Sequence, residues 1–302
     1  MLNQIFALVA LSQAKATGPI YTQSMTTPEG IVQMRTAAQQ LVREGKPDIW
    51  LVGAVHIGSK DYYSSLQKLL DAQEQVLFEG VKSSAKPVVA PKTDDKKPEK
   101  AGPKSVYKAL SDALGLEFQL NAIKYNRPNW INCDLTWEEM DKLNKESGNA
   151  DKGGGYGQIK QILDPNSSQA KTFVSLLDTA TPGTREAFKL MIVKNVASGE
   201  LAFDPNAEKI VIQARNKVVI DSVVKTIDAP KAPKSIAVFY GARHLADMEN
   251  TLTKNYGYKL GKQEWFLAAD ADPKKVDAQG QMILDMMEKQ KKPAVGGGTG
   301  TR

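Results

Sequence analysis

The stretch Ile49-Trp-Leu-Val-Gly-Ala-Val-His56 is answered late in the chain by Ile236-Ala-Val-Phe-Tyr-Gly-Ala-Arg-His244. Each is a short, continuous apolar run that ends in Gly-Ala-x-His. A run of this length bounded by turn residues reads as a strand buried on both faces. The residues after each motif have helical spacing: Tyr62, Leu66, Leu69 and Leu70 after the first, Leu245 to Lys254 after the second. Val76-Leu-Phe78 makes a further short strand, ended by Glu79-Gly80. The order strand, Gly-x-x-His, helix, strand, Glu predicts one α/β domain. In it a central mixed β-sheet, flanked by helices, takes strands from both ends of the chain.

The chain has only two histidines, and both stand at this position. In open α/β sheets, ligands gather where the carboxyl ends of strands meet helix starts. Two imidazoles on equivalent strand ends therefore converge if their strands are neighbours. The glycine ahead of each lets backbone come close without a side chain intervening. Glu79 reaches the same rim if its strand runs parallel to the first. Two imidazoles and a carboxylate match a divalent-cation site completed by water, where the cation lowers the water's pKa and polarises a carbonyl. The same residues also suit metal-free chemistry, with one histidine as general base and a carboxylate orienting it. Cys133 is the only cysteine, so there is no intrachain disulfide; its apolar setting, Trp-Ile-Asn-Cys, reads as a buried thiol.

Leu51-Val-Gly-Ala-Val-His-Ile-Gly58, the pair Tyr62-Tyr63 and Val76-Leu-Phe-Glu-Gly80 resemble the TraB/GumN/PrgY family, which includes the TIKI metalloproteases. Ala214-Arg215-Asn216-Lys217 is similar to the family's Arg-Asn segment ahead of the second motif. Gly241-Ala-Arg-His-Leu245 with Tyr256-Gly-Tyr258 is similar to its closing segment. The resemblance spans residues 27–268 and implies an EreA/ChaN-like α/β fold. It also implies a catalytic site of His56, Glu79, His244 and Arg215, with His56, Glu79 and His244 holding a divalent metal (Mn, Co or Zn) and peptide-bond hydrolysis as the reaction. Arg215, a planar two-pronged donor, suits a clamp on an oxyanion or carboxylate. Asn216, Arg243 and Arg127 are the expected contacts to a peptide or small-molecule substrate. Asn132 and Asp134, between Trp130 and Trp137, either line a cleft or serve as caps and turns. Two other readings stay open: a metal-independent, esterase-like hydrolase, and a non-catalytic protein that binds or sequesters peptide.

The formal charge of +6 is unevenly spread. Residues 82–104 hold seven lysines against Asp94, Asp95 and Glu99, and the end of the chain adds Lys289, Lys291, Lys292 and Arg302. Without these two segments the chain is close to neutral, so the basicity reads as solvated excursions and not as a nucleic-acid face. The Lys/Pro-rich 82–104 is expected to be an insertion that need not fold, and 273–302 a flexible tail with a Met-rich helical piece. Gly153-Gly-Gly-Tyr-Gly157 lacks the Lys-Ser/Thr of a phosphate-binding loop. Thr27 to Glu44 reads as a turn plus an amphipathic segment. Val106–Tyr125, Phe173–Leu190 and Ile210–Ile227 have helical periodicity, and Thr136-Trp-Glu-Glu139 is a capping signature. The apolar run Ile5 to Leu11 before Ala14-Lys-Ala16 fits a secretory leader over residues 1–16. Export to the periplasm or the extracellular space is then expected; if the run is instead a buried strand or helix start, the cytoplasm. No later stretch approaches the roughly 20 apolar residues of a membrane span.

Overall fold

The computed structural model describes residues 20–82, 106–148, 155–164, 166–197 and 205–291. The expected leader, nearly all of the Lys/Pro-rich insertion and the end of the tail lie outside them. The chain opens with β1 (Thr22–Thr26), β2 (Val32–Val42), β3 (Asp48–Ala54), the two-residue β4 (Ile57–Gly58), α1 (Lys60–Asp71) and β5 (Gln75–Phe78). Next come α2 (Val106–Leu114), β6 (Glu117–Phe118), the short α3 (Gln119–Ala122), β7 (Trp130–Asn132) and α4 (Trp137–Glu146). Then comes a helical stretch: α5 (Gly155–Leu163), α6 (Ser168–Thr179), α7 (Pro182–Ala197), α8 (Pro205–Ala207), a π-helical segment (Glu208–Ala214) and α9 (Arg215–Ile227). β8 (Ser235–Gly241), α10 (Ala242–Tyr256), β9 (Lys259–Ala271) and α11 (Ala278–Lys291) complete it.

Seven strands make one mixed sheet in the order β1-β2-β3-β8-β5-β7, with β9 also paired to β2. β3, β8, β5 and β7 are parallel to one another, while β2 runs antiparallel to β1, β3 and β9. β3 shows why its sequence is apolar at nearly every position. Trp50, Val52 and Ala54 pack on one face against Tyr62, Leu66 and Leu70 of α1 and Leu190 and Val193 of α7. Ile49 and Leu51 pack on the other against Val219, Val223 and Ile227 of α9 and Leu245, Met248 and Leu252 of α10. A parallel strand covered by helices on both sides must be apolar on both sides. Each aliphatic side chain buried this way contributes about 1.5–3 kcal/mol relative to exposure.

β8 lies between β3 and β5, so the second motif strand is bracketed by the first and by the strand that ends at Glu79. The registers Ala54↔Gly241 and Phe78↔Phe239 end all three strands at one rim. The two Gly-x-x-His strands are thus direct parallel neighbours. Gly53 has a specific packing reason: a Cβ there would lie 2.9 Å from the Ala37 carbonyl oxygen, 3.2 Å from Ala242 Cβ and 3.3 Å from Leu245 Cδ1. Its missing side chain is what lets the first turn of α10 sit against β3.

Several sequence readings are revised. The amphipathic segment within Thr27–Glu44 is the eleven-residue strand β2, and its long partner β9 contains the apolar run Trp265–Ala268. Phe173–Leu190 spans two helices, α6 and α7, with Pro182 opening the second, where a missing N–H costs nothing. The Met-rich helical piece expected in the tail is the helix α11, and it is packed, with Ile283 and Met287 buried with Phe188 and Met191 of α7. Two readings hold: Thr136 and Glu139 form a reciprocal capping box at α4, and Cys133 is buried. No described helix is long and apolar enough to cross a membrane.

Gly53→Ala should lower stability by about 1–3 kcal/mol, the usual cost of forcing an extra carbon into a filled interior. Urea denaturation measures this, and a midpoint equal to wild type would show that α10 does not depend on the close approach at Gly53.

Candidate active site

Glu79 comes directly after β5, and its N–H donates to the Phe239 carbonyl of β8 (3.0 Å). Its Oε2 accepts a hydrogen bond from the Gly241 N–H at the start of α10 (2.6 Å), a helix end that favours negative charge. A Cβ on Gly241 would lie 3.2 Å from that oxygen, so glycine keeps the approach open. Oε1 accepts from Arg215 Nη2 (2.6 Å). Arg215 starts α9 just past the π-helical segment, a feature found often at functional sites. Its Nε and Nη2 donate to Asp134 Oδ1 (2.8 Å) and Oδ2 (2.7 Å), the planar fork matching the carboxylate. Asp134 is buried beyond the end of β7 and also accepts from the N–H groups of Gly80 (2.9 Å) and Leu135 (2.8 Å). Nη1 of Arg215 has only long contacts, 3.3 Å to the Val211 carbonyl and 3.5 Å to His244 Nε2.

His244 is buried in the first turn of α10. Asn216 Nδ2 donates to the His244 carbonyl (3.1 Å) and to Asp247 Oδ2 (2.8 Å), which fixes the amide so that Oδ1 meets His244 Nδ1 at 2.7 Å. The ring therefore carries its proton on Nδ1. Its Nε2 looks toward Glu79 Oε1, 3.8 Å away. Burial pushes the His244 imidazole down to about 3 against the pull of Glu79, and the charges on Arg215, His56 and Arg243 add to the fall. Burial alone would raise the Glu79 carboxyl. Arg215, then His244 and His56, and the Gly241 N–H outweigh it and hold the group well below the usual carboxylate range. Burial opposes the charge on Arg215, but Glu79 and Asp134 raise its pKa above the ordinary guanidinium value.

His56 is exposed. Its loop is tied down by two buried tyrosines, Tyr63 donating to the Val55 carbonyl (2.8 Å) and Tyr62 to that of Gly53 (3.3 Å). Its Nδ1 meets Gln119 Oε1 at 3.1 Å, while Gln119 Nε2 donates to the Tyr125 hydroxyl (2.9 Å). Gln119, not Glu79, is thus the hydrogen-bond partner of Nδ1. The Tyr107 ring packs on His56 with centroids 4.8 Å apart and stacks on Phe118. Burial and the Glu79 charge push the Tyr107 hydroxyl up to about 12, against Arg215, so it stays an O–H donor.

The structure therefore brings Glu79, His244 and Arg215 into contact, and His56 is near enough to act electrostatically on Glu79 and His244. Asn216 stands against His244 and holds its ring through Oδ1 and its carbonyl through Nδ2. Arg127 and Arg243 make their ion pairs elsewhere, although the Arg243 charge is felt at His244. Arg127 pairs with Asp71 across to α1 (3.1 Å) and Arg243 with Glu208 (2.9 Å), both partly exposed. Asp134 earns a larger place than a cap or turn, and its position just past a strand end at the same rim was the available signal. Gln119 and Tyr107 carry no sequence signal. An open depression of about 500 Å³ lined by Val42, Arg43, Glu44, Asp48, Gly257 and Lys259 lies by the start of β3, away from this rim.

The arrangement does not suit a divalent cation as it stands. Both oxygens of Glu79 are already bonded, and the cationic Nη1 of Arg215 lies 3.5 Å from His244 Nε2, beside the place a metal bonded to that nitrogen at about 2 Å would take. Among the described residues no three His, Cys, Asp or Glu side chains are grouped to hold a metal ion. Protein-family models, curated proteins and solved structures give no match to this chain.

His244 should make folding sensitive to acid above the carboxylate range. Unfolded, it takes a proton near its ordinary 6.5; folded, only near 3. Between these the unfolded chain binds more protons, so stability present above pH 6.5 is lost as pH falls. The window from 6.5 down to 4.5, the ordinary value for Glu79, isolates this effect. Tm should drop across it in wild type and change less in His244→Gln; a constant wild-type Tm would show that the ring is not held neutral.

Proposed function

We propose that this chain is a hydrolase of acyl bonds, peptide bonds first, and that it works by metal-free acid–base chemistry at His56, Glu79, Arg215 and His244. The single observation that carries the reading is the state of Arg215. It is buried, held by two carboxylates, and keeps Nη1 only loosely engaged beside the His244 imidazole. Such a donor suits the negative charge that develops on a carbonyl oxygen under attack.

In the proposed step, His56 Nε2 removes a proton from a water as the water oxygen bonds to the substrate carbonyl carbon. The carbonyl electrons move to oxygen, and Nη1 of Arg215 stabilises the resulting charge. The tetrahedral species then collapses and its bond to the leaving amine or alkoxide breaks. The protonated His56 hands its proton to that leaving group, which restores the neutral ring. Glu79 keeps Arg215 in place through Oε1 and is itself anchored by the Gly241 N–H. His244 remains a neutral acceptor against this pair.

The resemblance of both Gly-x-x-His motifs to the TraB/GumN/TIKI group, with its EreA/ChaN-like fold, points to the same reaction class. A metal-dependent version with Mn, Co or Zn would require Arg215 to withdraw from His244 and Glu79, which makes it the second reading.

Fluorescence-quenched peptide mixtures and p-nitrophenyl esters, offered with and without chelator, test the proposal. Turnover should persist in chelator and fall roughly 10²–10⁴-fold in His56→Ala, with little change in Tm because His56 is exposed. Loss of turnover in chelator, restored by Mn, Co or Zn, would transfer the reaction to a metal. Peptide retained intact by folded wild type would make this a binding protein.

A further inference from the structure

The two histidines are gripped in the same way by residues that share no sequence context. Asn216 donates to the His244 backbone carbonyl through Nδ2 and meets the ring Nδ1 through Oδ1. Gln119 donates to the His56 backbone carbonyl through its own N–H (2.9 Å) and meets the ring Nδ1 through Oε1 (3.1 Å). Each imidazole is thus held at two points, its carbonyl and its Nδ1, by one carboxamide residue. Gln119 reaches His56 because the two-residue strands β4 and β6 pair in the register Ile57↔Phe118 and Gly58↔Glu117. That pairing has no place in the main sheet; what it does is set the residue after β6 against the residue before β4.

We propose that Gln119 is a positioning residue that locks His56 in the Nδ1–H tautomer, as Asn216 does for His244, so that the site presents two unprotonated Nε2 atoms. The reason is the inventory of donors and acceptors. An amide oxygen can only accept, so the nitrogen facing it must carry the ring proton, and the other nitrogen is left with its lone pair. Gln119 is buried, and its Nε2 is committed to Tyr125, whose ring packs on Phe78. With Nε2 on Tyr125, the oxygen faces His56. A base must take its proton at the nitrogen that faces the water, and an imidazole in the other tautomer offers a donor there. The inference rests on the site reading above, but its test needs no substrate.

Long-range ¹H–¹⁵N correlation of the imidazole rings reads the tautomer directly, and with two histidines in the chain only two ring systems appear. His56→Ala assigns them. At a pH where both rings are neutral, wild type should show protonated Nδ1 and unprotonated Nε2 for each. Gln119→Leu should shift His56 to the other tautomer or a mixture and leave His244 unchanged. Gln119→Glu, whose carboxylate still accepts from Nδ1, should restore the wild-type pattern. A wild-type His56 carrying its proton on Nε2 overturns the inference even if no variant folds. So does a folded Gln119→Leu with His56 unchanged. Locked rings in a protein that hydrolyses nothing would leave this inference standing and count against the proposed reaction alone.

Discussion

A guanidinium buried between two carboxylates is the constraint around which this rim is organised. Arg215 cannot lie in the interior without compensation, because removing a charge from water costs several kcal/mol. Compensation comes from Glu79 and Asp134, and both arrive for a topological reason. β5 and β7 are parallel neighbours in the register Phe78↔Asn132, so the residues just past each strand emerge side by side. Asp134 then accepts N–H bonds from both segments, which binds the two strand ends together. The third element, α9, delivers Arg215 at its first turn after a π-helical segment. His244 packs against this triad, and burial, helped by the Arg215 charge and opposed by Glu79, holds it neutral.

The two Gly-x-x-His motifs look equivalent as sequence, and the fold separates them. His244 is packed under the helix start with Tyr240 edge-on to its ring. His56 stands at the surface, tied from behind by Tyr62, Tyr63 and Gln119. The asymmetry comes from the strands: β8 continues straight into α10, whereas β3 leads into a loop and the short strand β4 before α1 begins. A shared motif therefore yields one ring in the field of the buried ions and one in contact with solvent.

The same physics decides how much was legible in the sequence. β3, β5 and β8 were readable because strands covered on both faces must be continuous apolar runs, and Glu79 because it is the first charge after one of them. β2 was harder, since eleven residues with Arg35, Gln39 and Gln40 among apolar neighbours suit more than one period, and only the pairing with β9 settles it. Arg127, Arg243 and Arg215 cannot be ranked by sequence, because what distinguishes them is which carboxylates they meet and how deeply. Gln119 was invisible for a different reason: it is placed by a two-residue strand pair, too short to leave a periodic signal. The helical piece of α11 is legible from its Met-rich run, but its docking is not, because nothing in the segment names Phe188 and Met191 as the partners of Ile283 and Met287.

The insertion of β8 between β3 and β5 has a consequence for how the molecule is made. Synthesis delivers β3 and β5 early, yet neither has its central neighbour until residue 241 has left the ribosome. Until then each exposes an apolar edge that its final partner alone can fill. Contacts of this sequence separation make for slow assembly, and transiently open strand edges are prone to pair with the wrong chain. The order in which the chain is born thus differs from the order of strands across its sheet, and a nascent chain that stops short of β8 lacks the strand on which both halves of the rim depend.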